Sequence, residues 1–391
     1  MMEETKKYKI VYVTPALYMA GGVERVLTLK ANYFAEQFGY DITIVLTEGK
    51  DKPYFYPLSS KVKVINLDLN FEELWTCSFL KKILVYLPKQ RRFKKLLTKE
   101  LMRIRPDITI SLLRRDINFI TSIKDGSKKI GELHINRDNY RNFKTEESNI
   151  FKNLFAKIWS YSLLQHLKRL DKLVVLTEKD RESWVELDNV IAIPDPLSFT
   201  PKTTSDQSHK RVLAIARYSH EKGIDLLLEA WSKVEKDCEE WRLDVYGDGK
   251  TEPYERLMVT LGIDQSRCAL HGRTNDVEKE YVNSSIFVLS SRFEGFGMVI
   301  IEAMACGLPV VAFDCPWGPR SIIKDGEDGL LAENSNPNDL SVCMLKVIKD
   351  TDLRLFLAKN AASNVMRLKI DNIAQQWLQL FDSLFPSKTF K

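Results

Sequence analysis

Short apolar segments rich in β-branched residues alternate along the chain with longer segments in which apolar residues recur at helical spacing. In the first half the predicted strands are Lys9–Val13, Asp41–Thr47, Val62–Asn66, Asp107–Ser111, Lys128–His134, Lys172–Leu176 and Val190–Pro194. Helices such as Val23–Phe38 and Phe151–Leu170 separate these strands. This alternation is typical of a parallel sheet covered on both faces, so the first half is predicted to be α/β.

The second half repeats the pattern and predicts a second doubly wound parallel sheet. Its predicted strands are Arg211–Ala216, Arg242–Tyr246, Cys268–His271, Ile286–Ser290 and Val310–Phe313. Because residues 198–210 lack apolar periodicity, we predict a linker there, between domains at 1–197 and 211–372. A C-terminal helix over 373–391 is expected to pack back toward the first domain. Ligands of such sheets bind beyond the carboxyl ends of the strands, which predicts a cleft between the domains.

The composition is that of a globular protein, and its cysteines indicate a reducing compartment. Apolar residues make up 44% of the 391 residues and charged residues 28%, and no secretory signal or bilayer-spanning segment is apparent. Six cysteines are scattered singly without metal-binding spacing, which favours reduced, buried thiols. We therefore predict a cytoplasmic protein.

The net charge of +5 is concentrated in one segment, Lys81–Arg105, where ten basic residues accompany a single acid, Glu100. Apolar residues recur within it at helical spacing, which predicts a basic amphipathic helix. Two interpretations are open: the helix lies on an anionic membrane surface, on the inner face of the cytoplasmic membrane, or it packs on the core with a solvated basic face. Nucleic acid is not indicated, because no aromatic or glycine-rich binding platform accompanies the charge.

The most informative motif lies between Ser291 and Gly307, where two acids, Glu294 and Glu302, flank a glycine-rich turn. The turn follows an apolar strand and precedes a helix, whose unpaired N–H groups favour phosphate oxygens. Gly295 and Gly297 allow a ligand to approach the backbone closely. A dinucleotide-binding turn is excluded because position 300 is Ile, not the third glycine of that fingerprint.

Glu302 occurs among apolar residues, where burying a carboxylate costs free energy unless it has a hydrogen-bond or charge partner. The two acids can therefore bind the two ends of a diphosphate-linked sugar, Glu302 accepting hydrogen bonds from a vicinal diol. A nucleotide-sugar has this layout.

Other polar groups follow predicted strands. The pair Gly21 and Gly22 opens a helix, and Arg217 and Lys222 lie in a strand-to-helix turn where they can bind a diphosphate. His134 ends a predicted strand and is a candidate hydrogen-bonding or proton-handling group, although a structural role is also open. A DxD pattern at 350–352 lies away from any strand end and is attributed to chance.

Four motifs together resemble the retaining glycosyltransferases of family 4, which have the GT-B fold of two Rossmann-like domains facing a cleft. They are Gly21-Gly-Val-Glu-Arg-Val, Ala-Arg217-Tyr-Ser-His-Glu-Lys222-Gly, the segment from Glu294 to Glu302 with its continuation to Val311, and Gly318-Pro-Arg-Ser-Ile-Ile-Lys-Asp-Gly-Glu-Asp-Gly-Leu-Leu. Two departures are noted: the segment around His134 lacks the His-Asp pairing of many members, and Asp195-Pro196 replaces Asn-Pro, which is expected to alter a turn.

The resemblance implies residue roles. Arg217 and Lys222 would bind the donor diphosphate, Glu294 the transferred hexose, and Glu302 the ribose diol, while His134 would approach the reacting end of the sugar. The turn backbone, at Gly295, Phe296, Gly297 and Met298, would bind the sugar and the distal phosphate.

The implied reaction is transfer of a hexose from a nucleoside diphosphate sugar to a glycan acceptor with retention of configuration. The expected nucleoside diphosphate of the donor is UDP. The expected acceptor is lipid-linked, as in capsule or O-antigen synthesis, and no metal or other cofactor is expected. Two alternatives are a nucleotide-sugar epimerase of similar architecture, which would act on the donor alone, and a non-catalytic sugar or nucleotide sensor, which the presence of both acids disfavours.

Overall fold

The computed structural model describes residues 6–74, 79–140 and 150–385, with side chains described for 6–74, 84–140 and 159–385. The chain forms two compact units. The first comprises residues 1–194 together with 370–391, and the second comprises residues 195–369.

The first unit is built on a seven-stranded parallel sheet with the order β3-β2-β1-β4-β5-β6-β7. The strands are β1 Lys9–Thr14, β2 Asp41–Leu46, β3 Lys63–Asn66, β4 Ile108–Ser111, β5 Lys128–Glu132, β6 Lys172–Val175 and β7 Val190–Ala192. The helices are α1 Gly22–Gln37, α2 Phe79–Ile104, α3 Ile150–Lys168, α4 Glu178–Ser183 and, from the C-terminus, α12 Ile370–Ser383.

The central strands of the first unit are buried because helices cover the sheet. The residues of β1 from Ile10 to Thr14 are all buried, as expected for a central strand of a parallel sheet. Helix α1 packs through an apolar stripe that includes Val26, Leu27 and Phe34. Helix α12 joins this unit through hydrogen bonds from Tyr8 to Asp382 (2.7 Å) and from Tyr33 to Asp371 (2.5 Å).

The second unit is built on a six-stranded parallel sheet with the order β10-β9-β8-β11-β12-β13. The strands are β8 Arg211–Ile215, β9 Arg242–Tyr246, β10 Cys268–His271, β11 Ile286–Leu289, β12 Val310–Phe313 and β13 Gly329–Ala332. The helices are α5 Ile224–Asp237, α6 Glu252–Leu261, α7 Val277–Val282, α8 Met298–Ala305, α9 Pro319–Ile322, α10 Pro337–Lys349 and α11 Thr351–Asn364. One apolar core, which contains Trp231, Leu243 and Phe313, packs between this sheet and its helices.

The predicted strands are present within one or two residues, and each sheet is parallel as expected. Strand β5 ends at Glu132, so His134 lies two residues beyond its end. Strand β13 was not predicted, because its four residues, Gly-Leu-Leu-Ala, are too short to show a periodicity.

The segment 198–210, predicted as a linker, instead hydrogen-bonds within the second unit. Ser205 donates to the carbonyl of Ser284 (2.5 Å) and Gln207 to the carbonyl of Gly307 (2.7 Å). The segment lacks apolar periodicity because it is fixed by polar contacts, not by burial of a hydrophobic face. The chain passes between units at residues 194–195 and again at 369–370, and α12 begins at Ile370, three residues before the predicted start.

Several smaller expectations have outcomes in the structure. Cys238, Cys268, Cys306 and Cys315 are buried free thiols, and Cys343 is a partly buried one, while Cys77 lies outside the described residues. Burial raises the pKa of the Cys268, Cys306 and Cys315 thiols to about 12. Asp350 of the DxD pattern caps α11 by accepting from the N–H of Leu353 (2.9 Å). Among the described residues, no helix combines the length and apolarity needed to cross a bilayer.

Candidate active site

The strand order of the second unit reverses between β8 and β11, which lie side by side at the centre of its sheet. In open α/β sheets a crevice forms beyond the carboxyl ends of the strands at such a reversal, and ligands bind there. The turn after β8 carries Arg217 and Lys222, and the turn after β11 carries Glu294 and the glycines. The fold therefore brings two sequence motifs to one crevice.

Lys222 and Glu294 contact each other across this crevice. The ammonium of Lys222 lies 2.6 Å from Oε1 of Glu294, and Ser291 donates a hydrogen bond to the same oxygen (2.7 Å). Glu294 is buried and the Lys222 side chain is largely so, which strengthens their attraction relative to a surface pair. A cation and an acid thus lie side by side at the crevice, where a polar ligand can contact both.

The two turns are fastened together by Arg292. Its guanidinium forms two hydrogen bonds with Asp225 (2.9 and 2.6 Å) and one with the carbonyl of His220 (2.7 Å). Its backbone N–H donates to the carbonyl of Glu221 (2.9 Å). This bidentate arrangement fixes the turn that carries Lys222 against the turn that carries Glu294.

Gly223 allows the same close approach. It has φ +60°, and a Cβ placed on it would overlap the carbonyl oxygen of Ser290, whose hydroxyl donates to the carbonyl of Lys222 (3.0 Å). Sequence analysis did not identify Asp225 or Arg292. Arg292 lies within the acidic motif, but its partners come from residues about 70 positions earlier in the chain.

The glycine-rich turn ends at Gly297, which has φ +102° and precedes the first residue of α8, Met298. Phe296 is buried, and a Cβ at Gly318 would lie 2.6 Å from its carbonyl oxygen and 2.9 Å from the Cβ of Glu294. The absence of a Cβ at Gly318 therefore allows it to lie close to this turn, in which Gly295, Phe296, Gly297 and Met298 follow Glu294.

Glu302 lies one turn into α8 and is 3% exposed. Ser198 donates a hydrogen bond to its Oε1 (2.5 Å), and the Tyr281 hydroxyl donates to its Oε2 (3.1 Å). The expectation that this acid has partners is confirmed, and the partners include protein hydroxyls that sequence analysis did not identify.

Arg217 is placed differently from Lys222. Its side chain is 67% exposed, and its guanidinium bonds to Glu221 four residues on (2.9 Å). The two cations of the motif therefore share a turn but differ in burial.

In the first unit the strand order reverses between β1 and β4. Gly21 directly precedes α1 and Gly22 begins it, and the carboxylate of Glu24 folds over Gly21. Burial raises the pKa of Glu24, an effect opposed by its own backbone N–H and by the charges of Arg114 and His134. Groups from α1, the end of β4 and the end of β5 are thus close together at this edge.

His134 has an acidic neighbour at the end of the preceding strand, β5. Its Nε2 lies 3.1 Å from Oε1 of Glu132, and Glu132 also pairs with Lys30 of α1. The structure thus groups Lys222, Glu294, Glu302 and the turn glycines within the second unit, and Gly21, Gly22 and His134 within the first.

The fold and the site define a class: a two-sheet α/β protein with the GT-B fold and a polar crevice at the strand-order reversal of its second unit. Residues 198–364 match the family model described as glycosyl transferases group 1. An uncharacterized glycosyltransferase from Haemophilus influenzae is 28% identical over 366 residues, 92% of this chain and 95% of that protein. A Campylobacter jejuni enzyme named as an α-1,4-N-acetyl-D-galactosaminyltransferase is 27% identical over 92% of this chain and 95% of that protein.

A solved structure, that of TarM, aligns with a TM-score of 0.75 and 18% identity over 97% of this chain and 100% of that chain. The second unit thus matches the group 1 glycosyl transferase model, and nearly the whole chain is similar to glycosyltransferases, enzymes that transfer a sugar residue. The epimerase and sensor interpretations find no support among these relatives.

Proposed function

We propose that this glycosyltransferase belongs to family 4 and moves a hexose from a nucleoside diphosphate sugar, with UDP as the carrier, to a glycan hydroxyl with retention of configuration. The observation that supports this most is the pairing of Lys222 with Glu294 at 2.6 Å on two turns at a strand-order reversal. A diphosphate needs a cation and a sugar needs a hydrogen-bond acceptor, and these two residues supply both at one point.

In this proposal the donor lies along the second unit's crevice. Lys222 and Arg217 bind the diphosphate, and the turn backbone from Gly295 to Met298 lies against the sugar and distal phosphate. Glu294 accepts hydrogen bonds from hexose hydroxyls and Glu302 from the ribose diol. As the bond to the sugar breaks, negative charge grows on the leaving diphosphate, and the ammonium of Lys222 stabilises it.

In the same proposal His134 contacts the reacting end of the sugar, and the turn at Gly21 and Gly22 allows close approach of the donor's phosphate or sugar. The acceptor hydroxyl attacks the anomeric carbon from the leaving-group side, and the departing phosphate takes its proton, so no protein nucleophile is used. The cations take the charge-neutralising role that a metal ion has in other transferases, and we propose that no metal cofactor is needed.

Mutation of the pair tests this function. Lys222→Met and Glu294→Gln should each reduce kcat for transfer from UDP-sugars by about 100- to 1000-fold, because each removes a group that contacts the transition state. Lys210→Met is a matched control, since Lys210 forms an exposed pair with Glu240 in the same unit. Circular dichroism checks the fold of each variant. Near-normal kcat in both site variants would overturn the assignment, and a panel of nucleotide-sugars in a thermal-shift assay identifies the donor.

We also propose a lipid-linked acceptor in cell-surface polysaccharide synthesis, such as capsule or O-antigen. The Campylobacter relative is named for an acceptor carried on diNAcBac-PP-undecaprenol. Such an acceptor is at a membrane, and α2 offers a surface for one. Leu84, Leu87 and Met102 are exposed large apolar residues on α2, and helical spacing places the exposed cations Arg91 and Lys95 on the same face.

The opposite face of α2 packs on the core through Phe93, Leu97 and Leu101, as one of the two interpretations expected. The other interpretation, contact with a membrane, is our proposal for the exposed face. Lys81 and Lys82 lie outside the described side chains. The mixture of exposed leucines and cations is typical of helices that lie on anionic lipid, which supports our proposal that the enzyme acts on the cytoplasmic face of the membrane.

Vesicle sedimentation tests the membrane surface. Arg91→Glu/Lys95→Glu should reduce binding to vesicles containing phosphatidylglycerol by about tenfold or more, since each cation near an anionic surface contributes about 1 kcal/mol. Lys179→Glu/Lys236→Glu changes the same charge at exposed positions elsewhere and should bind as the wild type does. Equal binding of both variants, or equal binding to neutral vesicles, would contradict the proposal.

A further inference from the structure

Glu302 is held by protein hydroxyls on both oxygens of its carboxylate. Ser198 donates to Oε1 (2.5 Å) and Tyr281 donates to Oε2 (3.1 Å). Because these donors lie on different oxygens, they fix the plane of the carboxylate as well as its position. Glu302 lies four residues after Met298, so the two residues share one side of α8, and Met298 directly follows the glycine-rich turn.

Tyr281 is too deeply buried to contact a ligand itself. It lies on α7, is 0% exposed, and its ring packs against that of Phe287 on β11, with 5.6 Å between the ring centroids. Its hydroxyl lies closer to the Glu302 carboxylate, at 3.1 Å, than to the carbonyl of Val299, at 3.4 Å. A hydrogen bond to an ionised acceptor is also the stronger of the two. Any effect of this hydroxyl on a ligand is therefore expected to act through Glu302.

Ser198 lies in a segment that a backbone contact fixes. The N–H of Leu197, the residue before it, donates to the carbonyl of Leu368 (2.8 Å), and the Leu197 side chain is buried. Ser198 and Tyr281 thus hold one carboxylate from two separate segments of the second unit. Supporting groups of a preorganised binding site have this arrangement.

Hydroxyl partners suit an acid that binds a sugar diol. The carboxylate of Glu294 pairs with the cation Lys222, whereas the donors to Glu302 named above are neutral. An ionised carboxylate only accepts hydrogen bonds, and a neutral donor does not cancel its negative charge. Glu302 is 3% exposed, so little water can replace a ligand hydroxyl that is missing. A buried site built around a ligand hydroxyl discriminates strongly against a ligand that lacks it.

We propose that Ser198 and Tyr281 are positioning residues that hold the Glu302 carboxylate and thereby set a preference for ribonucleotide over deoxyribonucleotide donors. This inference rests on the proposed function, in which Glu302 accepts hydrogen bonds from the ribose diol. With its plane fixed, the carboxylate meets both hydroxyls of the diol in one orientation. A deoxyribose lacks one of these hydroxyls and leaves the buried acid with one hydrogen bond fewer. Sugars carried on deoxyribonucleoside diphosphates are therefore poor donors.

Calorimetric binding of nucleoside diphosphates tests this role without the sugar or the acceptor. The probes are UDP and deoxy-UDP, and GDP and deoxy-GDP if GDP binds more tightly than UDP. The test variants are Tyr281→Phe, Ser198→Ala and the two combined, and Ser198→Thr keeps a hydroxyl at its position. The matched control is Tyr218→Phe/Ser232→Ala, which removes two hydroxyls of the same unit that bond to backbone carbonyls. Melting temperatures check the fold of every variant.

We expect the wild type to bind the ribonucleotide about 10- to 100-fold more tightly than its deoxy form, the range for a hydrogen bond to a charged group. In the Tyr281→Phe/Ser198→Ala variant the ribonucleotide should bind more weakly and the deoxy form almost unchanged, so their affinity ratio should fall at least about fivefold. Ser198→Thr and the control should keep the ratio within about twofold of the wild type. If Tyr281→Phe does not fold, Ser198→Ala alone decides, because its site is less buried.

Equal weakening of both nucleotides in the test variants would overturn the positioning role, because a purely structural effect changes both affinities and leaves their ratio. An equal fall of the ratio in the control would overturn it as well. If the wild type binds UDP or GDP but does not distinguish the deoxy form, this inference fails while the role of Lys222 and Glu294 stands. If it binds neither UDP nor GDP, the proposed donor class fails, and this inference fails with it.

Discussion

The carboxyl edges of the two sheets use charge in opposite ways. In the second unit Lys222 and Glu294 come from turns, lie at the crevice and contact each other at 2.6 Å, where a ligand can contact them as well. In the first unit Lys30 and Glu132 come from a helix and a strand and are buried, each 1% exposed, with His134 next to Glu132. One edge thus has its ion pair at the crevice, and the other has its ion pair buried beside a histidine.

Substitution of one glycine should separate the two turns of the second unit that carry Lys222 and Glu294. Gly223→Ala puts a Cβ into the carbonyl of Ser290 at a positive φ, so the turns must separate and Lys222 must leave Glu294. We expect about 3 kcal/mol or more of lost stability and donor turnover reduced by at least about 100-fold.

Gly262→Ala is the control, since Gly262 has φ +67° but open space around its Cβ. Its free energy of unfolding should fall by only about 1 kcal/mol, the cost of a left-handed backbone alone, and its turnover should be unchanged. Denaturant unfolding and steady-state kinetics separate the two. Equal behaviour of the two variants would show that contact between the turns is unimportant.

Arg292 tests the contact between the two turns of the second unit, because it binds one turn to the other and is not proposed to contact the ligand. Arg292→Lys keeps the charge but loses the bidentate contact with Asp225, so donor KM should rise about tenfold with a smaller change in kcat.

The matched change, Arg267→Lys, affects a guanidinium that holds Asp264 and the carbonyl of Glu235 near the amino end of β10. It should leave donor KM unchanged within about twofold. A rise in KM of the same size in both variants would attribute the effect to the general loss of an arginine.

Acid sensitivity gives the smallest expected effect and concerns the first unit's pair. The pKa of Glu132 is about 2 in the folded protein, below its ordinary value of 4.5, so its contribution is present above about pH 4.5 and is lost as the pH falls toward 2. The shift corresponds to at most about 3 kcal/mol of unfolding free energy.

Urea unfolding between pH 5 and 2 measures this loss, and the Lys30→Met/Glu132→Leu variant should show a flatter pH dependence by that amount. Asp244, buried in the second unit, has a pKa also held at about 2 by Arg242, His271 and Arg211 against the effect of its burial, so the acid response of that unit should persist in the variant. An unchanged pH dependence would mean that Glu132 is not charged in the folded state.

Contiguous motifs could be predicted from the sequence, and partners distant in sequence could not. The Glu294 turn and Lys222 were found because each is a local pattern that follows a strand, and strand alternation predicted both parallel sheets. Ser198, the partner of Glu302, lies 104 residues away, and no local pattern links them. The linker prediction failed for the same reason, since segment 198–210 is fixed by contacts remote in sequence.

Lys30 did carry a usable signal. It lies four residues after Val26 and four before Phe34, on the apolar stripe of α1, where a charged residue needs a buried partner. The sequence could have indicated that a partner exists, but identifying Glu132, 102 positions later, required the packing of α1 on the sheet.

The return of α12 to the first unit makes the second unit an insertion in the chain's topology. The first unit is assembled from both ends of the polypeptide, and residues 195–369 form a continuous cassette between them, within which the whole family match at 198–364 falls. Recombination could exchange such a cassette with two crossovers and leave the surrounding sheet unbroken. The donor recognition that we propose for this cassette can thus change over evolutionary time independently of the first unit.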